Sequence, residues 1–400
     1  MDPRQEFSER LRSELEPDVR RYFSPEFIVC CEHFDRFTTE VAGRDLARLG
    51  LLEEFREPTT VEDALARKGY VARAAVPLRW MLSKLAQDGF LERESSAGVE
   101  RFVARVPLPP ADSGAKEKAL AISPAAAPAF TVVEELSAHI VEYFQGTKSG
   151  EEILFSPARL SLWFDYFHND NLLYAVNNRL GAEAVARTIA RTRPSAVLEL
   201  GGGAGSAALA LFEHLSAEGR RATISRYVFS EPVPTFLRRG ERALRQRFPD
   251  VPLECRKLDM NVPLVAQGVE AESFDLVYAV NTIHVARDLE ATLRGIFEVV
   301  KPGGAIVFSE CVRPLPDQAI YVEFAFNFLE NFVQVVTDPE FRPTHGFLTP
   351  ANWRAALGRC GFERVELIPD VEALSRDYPF FFVAAIRARK PGPAGGPPAD

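Results

Sequence analysis

The stretch VLELGGGAGSAALAL, residues 197–211, constrains this chain most. A short apolar run ends in an acidic residue, turns through Gly201, Gly202, Gly203 and Gly205, and enters a small-residue helix. Glycines at such a turn let backbone N–H groups approach a ligand closely, and the helix N-terminus faces it. After Pro194 the pattern repeats. AVLEL (196–200), RYVFS (226–230), LECRKLD (253–259), FDLVYAV (274–280) and AIVFSE (305–310) read as strands alternating with helices. That alternation predicts an α/β fold, a parallel sheet with helices on both faces.

A chain of 400 residues exceeds one small core, so more than one domain is expected. Residues 1–105 read as mostly helical, with Gly43 and Gly50 as breaks. TVEDALARKGY (60–70) and VPLRWMLSKLAQDGF (76–90) form helices, the second with Leu78, Met81, Leu82 and Leu85 on one face. FLERESSAGVERFVAR (90–105) alternates around a turn, as a hairpin does. Helix, helix, two-stranded wing is a winged-helix outline, fit for dimerisation or a substrate wall. Residues 106–128 are Pro/Ala-rich and read as a linker, 129–193 as a helical lid or linker region, 194–390 as the α/β domain, and 391–400 as a disordered tail. In the lid region Val133, Leu136, Ile140 and Phe144 share a helical face.

The net charge of −9 and an acidic N-terminal block argue against a nucleic-acid surface. The longest apolar run, PFFFVAAI (379–386), falls far short of the ~20 residues that cross a bilayer. Cys30, Cys31, Cys255, Cys311 and Cys360 form no CxxC pair, and the charged start has no apolar core, which points to a reducing cytoplasm.

The strand ends carry the chemistry. Glu199 precedes the glycine turn. Glu231, at the next strand tip, would accept two ribose hydroxyls. Asp259 and Met260 put an acceptor beside an apolar surface that suits adenine. The fourth strand leads into Asn281 and His284, and Lys301-Pro-Gly-Gly304 turns into the fifth. A dinucleotide-binding unit would want Gly-x-Gly-x-x-Gly; Gly201, Gly203 and Gly205 give Gly-x-Gly-x-Gly.

The ordered set VLELGGGAGS, YVFSEPVPTFL, RKLDMN with the following QG, FDLVYAVNTIHVARDLEATL, VVKPGGAIVFSE and RPTHGFLTPANWRAALGRCGFERVELIP resembles the class I S-adenosylmethionine-dependent methyltransferases. Within them it is similar to the C-methyltransferase domains of polyketide synthases (methyltransferase type 12), over about residues 170–370. That family usually has Gly-Ala-Gly-Thr-Gly at the turn, Asp at Glu231, and His-Ala-Thr where this chain has His284-Val285-Ala286. The winged-helix-like N-terminus is similar instead to small-molecule O-methyltransferases. The resemblance implies a Rossmann-like sheet and S-adenosylmethionine bound by Glu199, Gly201, Gly203, Gly205, Glu231, Asp259, Met260 and Asn281. It also implies a homodimer and a small-molecule acceptor, free or on a carrier protein; the charge speaks against nucleic acid, the short apolar runs against a membrane, and the lack of a second His or Cys at ligand spacing from His284 against a metal.

The resemblance also places His284 at the methyl-transfer site and pairs it with Glu310 at the fifth strand's end. Imidazole titrates near ~6.5, which suits a general base, and a carboxylate on its other nitrogen fixes the tautomer. His168 and His345 could approach it from flanking segments. Aromatic residues are expected to wall the acceptor: Trp163, Tyr166 and Phe167 from one segment, and Tyr321, Phe324 and Phe328 from a helical stripe that continues to Phe332. The expected activity is methylation of an activated carbon. The rivals are O-methylation of a phenol or enol, a winged-helix regulator with a methyltransferase-like ligand domain, and a nicotinamide oxidoreductase.

Overall fold

The computed structural model describes residues 9, 12, 13, 15, 17–96, 98–108, 110, 112–189, 193–374 and 382–392. Most of the charged start, the first part of PFFFVAAI and positions 393–400 of the expected tail lie outside the described residues.

A hairpin of β1 (Leu91–Ser96) and β2 (Val99–Ala104) stands apart from a seven-stranded sheet. The sheet comprises β3 (Ser195–Leu200), β4 (Ile224–Ser230), β5 (Leu253–Arg256), β6 (Phe274–Val280), β7 (Val300–Cys311), β8 (Glu363–Ile368) and β9 (Val383–Arg389), in the order 5-4-3-6-7-9-8. All five strands read from the sequence are present, and the first five of that order pair in parallel. Every residue of β3 is buried, so both sheet faces are covered. The strand order reverses at β3, between β4 and β6, and such a switch point opens a crevice at the carboxyl ends of the strands.

The sheet is not wholly parallel. β9 runs antiparallel to both β7 and β8. These two strands were not anticipated: the run PFFFVAAI was weighed only for its length. β7 starts five residues earlier than AIVFSE, because the Lys301–Gly304 turn is a bulge inside the strand, opposite Asp275. Lys301 Nζ holds Asp275 there at 2.8 Å.

The helices begin where capping chemistry appears. Ser24 caps Pro25–Arg48, Thr60 caps Val61–Lys68, Asn171 caps Leu172–Thr188 and Asp288 caps Leu289–Val299. Gly43 does not break the first of these. It is a buried mid-helix position, and the helix ends before Gly50, whose φ is +64°. Residues 106–128 are more than a linker. Ala115–Ile122 is a helix that packs on Pro25–Arg48 through buried Ala115 and Ala119, since alanine favours helix once an apolar partner is present.

The segment after β7 was read as one aromatic helix. Two four-residue helices form instead, Glu323–Phe326 and Glu330–Val333, separated by a turn at 327–329. Both lean on the N-terminal half. Phe324 meets Trp80 edge-on at 5.4 Å, Phe328 meets Tyr143 at 4.7 Å, and Tyr321 meets Phe34 at 5.2 Å. Gln87 Oε1 accepts the Ala319 N–H at 3.1 Å, and Glu151 Oε1 accepts the Glu330 N–H at 2.7 Å.

Candidate active site

A cleft opens at the switch point, walled by the glycine turn, Glu231, Asp259, Met260, Asn281 and Thr282. Each glycine has its own reason. A side chain on Gly201, where φ is +62°, would strike Thr282. One on Gly205, where φ is +91°, would crowd Gly240 across two helices at 3.1 Å. At Gly203 the space is empty within 4 Å, so the cleft reaches the backbone itself. A ligand with a polar backbone-seeking end fits such a cradle.

Glu231 closes the next side. Its Oε2 accepts the Gly203 N–H at 3.0 Å and its Oε1 the Val233 N–H at 2.9 Å. Burial raises its carboxyl above the usual range, against those two bonds. Asp259 is held by a clip that sequence reasoning recorded only as a following QG. Gln267 accepts the Asp259 N–H at 2.9 Å and donates to the Asp259 carbonyl at 2.8 Å and the Val262 carbonyl at 2.9 Å.

Glu199 does not line this cleft. It lies beneath the turn, 1% exposed, with Oε2 accepting the Tyr227 hydroxyl at 2.8 Å. Its other oxygen has no hydrogen-bond partner among the described residues. Burial pushes this carboxyl up to about 8 despite the tyrosine. Asn281 adopts φ +47°, its N–H bonds the Ser309 carbonyl at 2.8 Å, and its Oδ1 accepts the Cys311 N–H at 3.2 Å. It therefore stitches β6 to β7 as well as facing the cleft.

His284 and Glu310 meet across those two strand tips. His284 Nδ1 lies 2.6 Å from Glu310 Oε2, with 5% and 0% of the side chains exposed. Glu310 Oε1 gathers the N–H groups of Thr282 at 3.0 Å, Ile283 at 2.8 Å and, more weakly, His284 at 3.4 Å. One carboxylate thus shapes the loop and orients the ring on it. Phe347 lies 4.3 Å from the imidazole centroid and Phe332 5.8 Å. Thr282 and Val285, on either side of His284, line the cleft.

Sequence reasoning missed Arg342. Its guanidinium is fully buried and donates to the His284 carbonyl at 2.7 Å and to the Ala286 carbonyl, pinning the loop from behind. Burial lowers it to about 10, with Asp288 opposing. An arginine in RPTHGF gives no sign from sequence of where it will point.

The aromatic residues divide. Phe167 lines the cleft, joined by Phe155 and Tyr174, which were not anticipated. Trp163 is wholly buried behind them, its indole N–H given to the Leu154 carbonyl at 2.8 Å and its face stacked on Phe155 at 4.8 Å. Tyr166 packs edge-on against both Trp163 and Phe167. Tyr321, Phe324 and Phe328 are absent from this cleft's wall, being spent on the N-terminal helices. His345 reaches Asn327 Oδ1 at 3.1 Å and Phe332, while His168 is exposed beside Asp170. Among the described residues no three His, Cys, Asp or Glu side chains group as metal ligands.

Residues 198–306 match the family described as a methyltransferase domain. A highly reducing polyketide synthase, NEC1 of Pyricularia oryzae, is 30% identical over 184 residues, 46% of this chain and 6% of the synthase. Methyltransferase calH of Penicillium decumbens is 26% identical over 252 residues, 63% of each chain. This chain thus spans less than two thirds of either relative. The solved CurJ carbon methyltransferase superposes with a TM-score of 0.73 at 20% identity, covering 97% of both chains. Family match, sheet and glycine cradle agree: residues 198–306 are a methyltransferase domain, and the chain has the fold of the polyketide synthase C-methyltransferases.

Proposed function

We propose that the chain methylates an activated carbon, such as the α-carbon of a β-ketoacyl group, with His284 as the general base. The observation that carries this reading is the buried 2.6 Å contact between His284 Nδ1 and Glu310 Oε2. An ionised carboxylate only accepts, so Nδ1 bears the proton and Nε2 is left with a free lone pair. Bound S-adenosylmethionine supplies an electrophilic methyl group on a sulfonium. Glu231, the glycine turn and Asp259 would hold its ribose, amino-acid end and adenine. Nε2 would take the proton from the acceptor carbon, and the electron pair left there would form the new bond to the methyl group as the methyl–sulfur bond breaks, its pair staying on the sulfur of the departing S-adenosylhomocysteine. Glu310 stabilises the imidazolium that results. Phe332 and Phe347 keep water from the ring, which strengthens that interaction.

The relatedness to polyketide synthases supports an acyl chain presented on a carrier protein as the acceptor. The test is incubation with a labelled methyl donor, β-ketoacyl thioesters and phenols, followed by mass location of the label. Label on the α-carbon supports the reading; label only on oxygen replaces it with O-methylation.

A further inference from the structure

Asn178 stands on the helix Leu172–Thr188, which leads into β3, and it lines the cleft beside the glycine turn. Its side chain is 1% exposed. Its Nδ2 donates to Asn169 Oδ1 at 2.8 Å, while its Oδ1 has no partner among the described residues. Ordinarily the oxygen and nitrogen of such an amide could be exchanged without penalty. Here a chain of bonds forbids it. Asn169 Nδ2 donates at 2.8 Å to the Ser206 carbonyl, which can only accept. That leaves Asn169 with its oxygen toward Asn178, so Asn178 must present its NH2 to Asn169 and its oxygen elsewhere. A buried, unsatisfied acceptor costs free energy until a ligand brings a donor to it. The neighbouring Asn177 also has an unpaired oxygen, but its amide faces Cys311 and it does not line this cleft.

The position of Asn178 selects the donor. Glu231 and Asp259 occupy the far strands, where ribose and adenine would lie. Asn178 is tied through one residue, Asn169, to Ser206 at the start of the helix Ser206–Ala217. That helix N-terminus suits a carboxylate. The α-carboxylate and α-ammonium of an amino acid leave the same carbon, so their partners must be neighbours. Resting on the donor's occupancy of this cleft, we infer that Asn178 is a positioning residue whose side-chain oxygen receives the α-ammonium of S-adenosylmethionine, with Asn169 holding the amide in that sense.

The inference is tested by calorimetry on the full chain with two ligands. S-adenosylhomocysteine has the amino-acid end; 5′-deoxy-5′-methylthioadenosine has the same nucleoside and thioether without it. Asn178→Ala should weaken the first about ten- to hundredfold, the scale of a hydrogen bond to a charged group, and the second less than about twofold. Asn169→Ala leaves the oxygen in place but frees the amide to turn, so it should show a smaller loss with the same selectivity. If Asn178→Ala does not fold, Asn169→Ala decides alone. Equal losses for both ligands, or no loss for S-adenosylhomocysteine, overturns the assignment. A wild-type chain that binds neither ligand fails the donor-site reading itself, which separates the two outcomes.

Discussion

Glu199→Gln should remove a pH dependence of stability that the native chain owes to one buried carboxyl. Burial moves Glu199 from 4.5 to about 8, with the Tyr227 hydroxyl opposing and the nearby Glu231 charge assisting. Each pKa unit corresponds to about 1.4 kcal/mol, so the whole shift is worth about 5 kcal/mol. The sign follows from proton binding. The folded state holds this proton more tightly than the unfolded chain. Its contribution is therefore fully present below about 4.5 and disappears as pH rises through about 8. Between pH 5 and 8.5, wild-type stability should fall by roughly 3–4 kcal/mol relative to Glu199→Gln. Glutamine keeps an oxygen for Tyr227 and never ionises, so it isolates the proton from the contact. Urea unfolding at several pH values, with the midpoint and slope fitted separately, measures the difference. A gap between the two proteins that stays constant to within about 1 kcal/mol over that range would refute the reasoning. It would mean that the carboxylate is already ionised in the folded state, satisfied by a group other than Tyr227.

His284→Ala should lower turnover by about 10²–10⁴-fold with donor affinity nearly unchanged, measured on the least acidic acceptor that the enzyme accepts. Glu310→Gln should cost less, and the double variant should be little worse than His284→Ala; additive losses would show two separate roles. Glu231→Ala should weaken S-adenosylhomocysteine tenfold or more by calorimetry, since a hydrogen bond to a charged group is worth about 1.5–3 kcal/mol. Arg342→Met leaves the carbonyls of His284 and Ala286 buried without donors and should destabilise the fold by about 2–5 kcal/mol in urea unfolding. Turnover in the same variant should fall more than donor affinity, because the loop that it loosens bears His284, the proposed base.

What was legible in the sequence had a local signature. A strand that ends in a glycine turn announces itself within a dozen residues, as β3 does, and β4 and β6 were visible as short apolar runs that lead into polar residues. The His284–Glu310 pair was legible only through family resemblance, since nothing local says that two strand tips are neighbours. β8 and β9 were lost because β9 runs antiparallel between β7 and β8, outside the strand–helix alternation of parallel neighbours that marked the others. The aromatic stripe misled because every-fourth-residue spacing states that side chains share a face, not which partner covers it. Leu329 is extended (φ −100°, ψ 130°), which ends the helix that the spacing suggested, and Asn327 commits its side chain to His345. Glu199 was placed at the cofactor from its position before the turn. Strand alternation already sets neighbouring residues on opposite faces, and here the side chain points to Tyr227 instead of the cleft.

The contacts of the segment after β7 argue for a dependence between the two halves of the chain. This segment supplies Arg342 and Phe347 to the His284 loop, yet little of it is regular structure of its own. Short helices of four residues do not persist alone. What holds them is the N-terminal half: Trp80 and Tyr143 pack on Phe324 and Phe328, and Gln87 and Glu151 accept backbone N–H groups. The orientation of His284 is thus set twice, by Glu310 from within the sheet and by Arg342 from a segment that the N-terminal helices keep in place. Loosening the N-terminal packing at Trp80, 75 residues before Phe155, the first residue along the chain that lines the cleft, reaches His284 through that segment and leaves the glycine cradle intact.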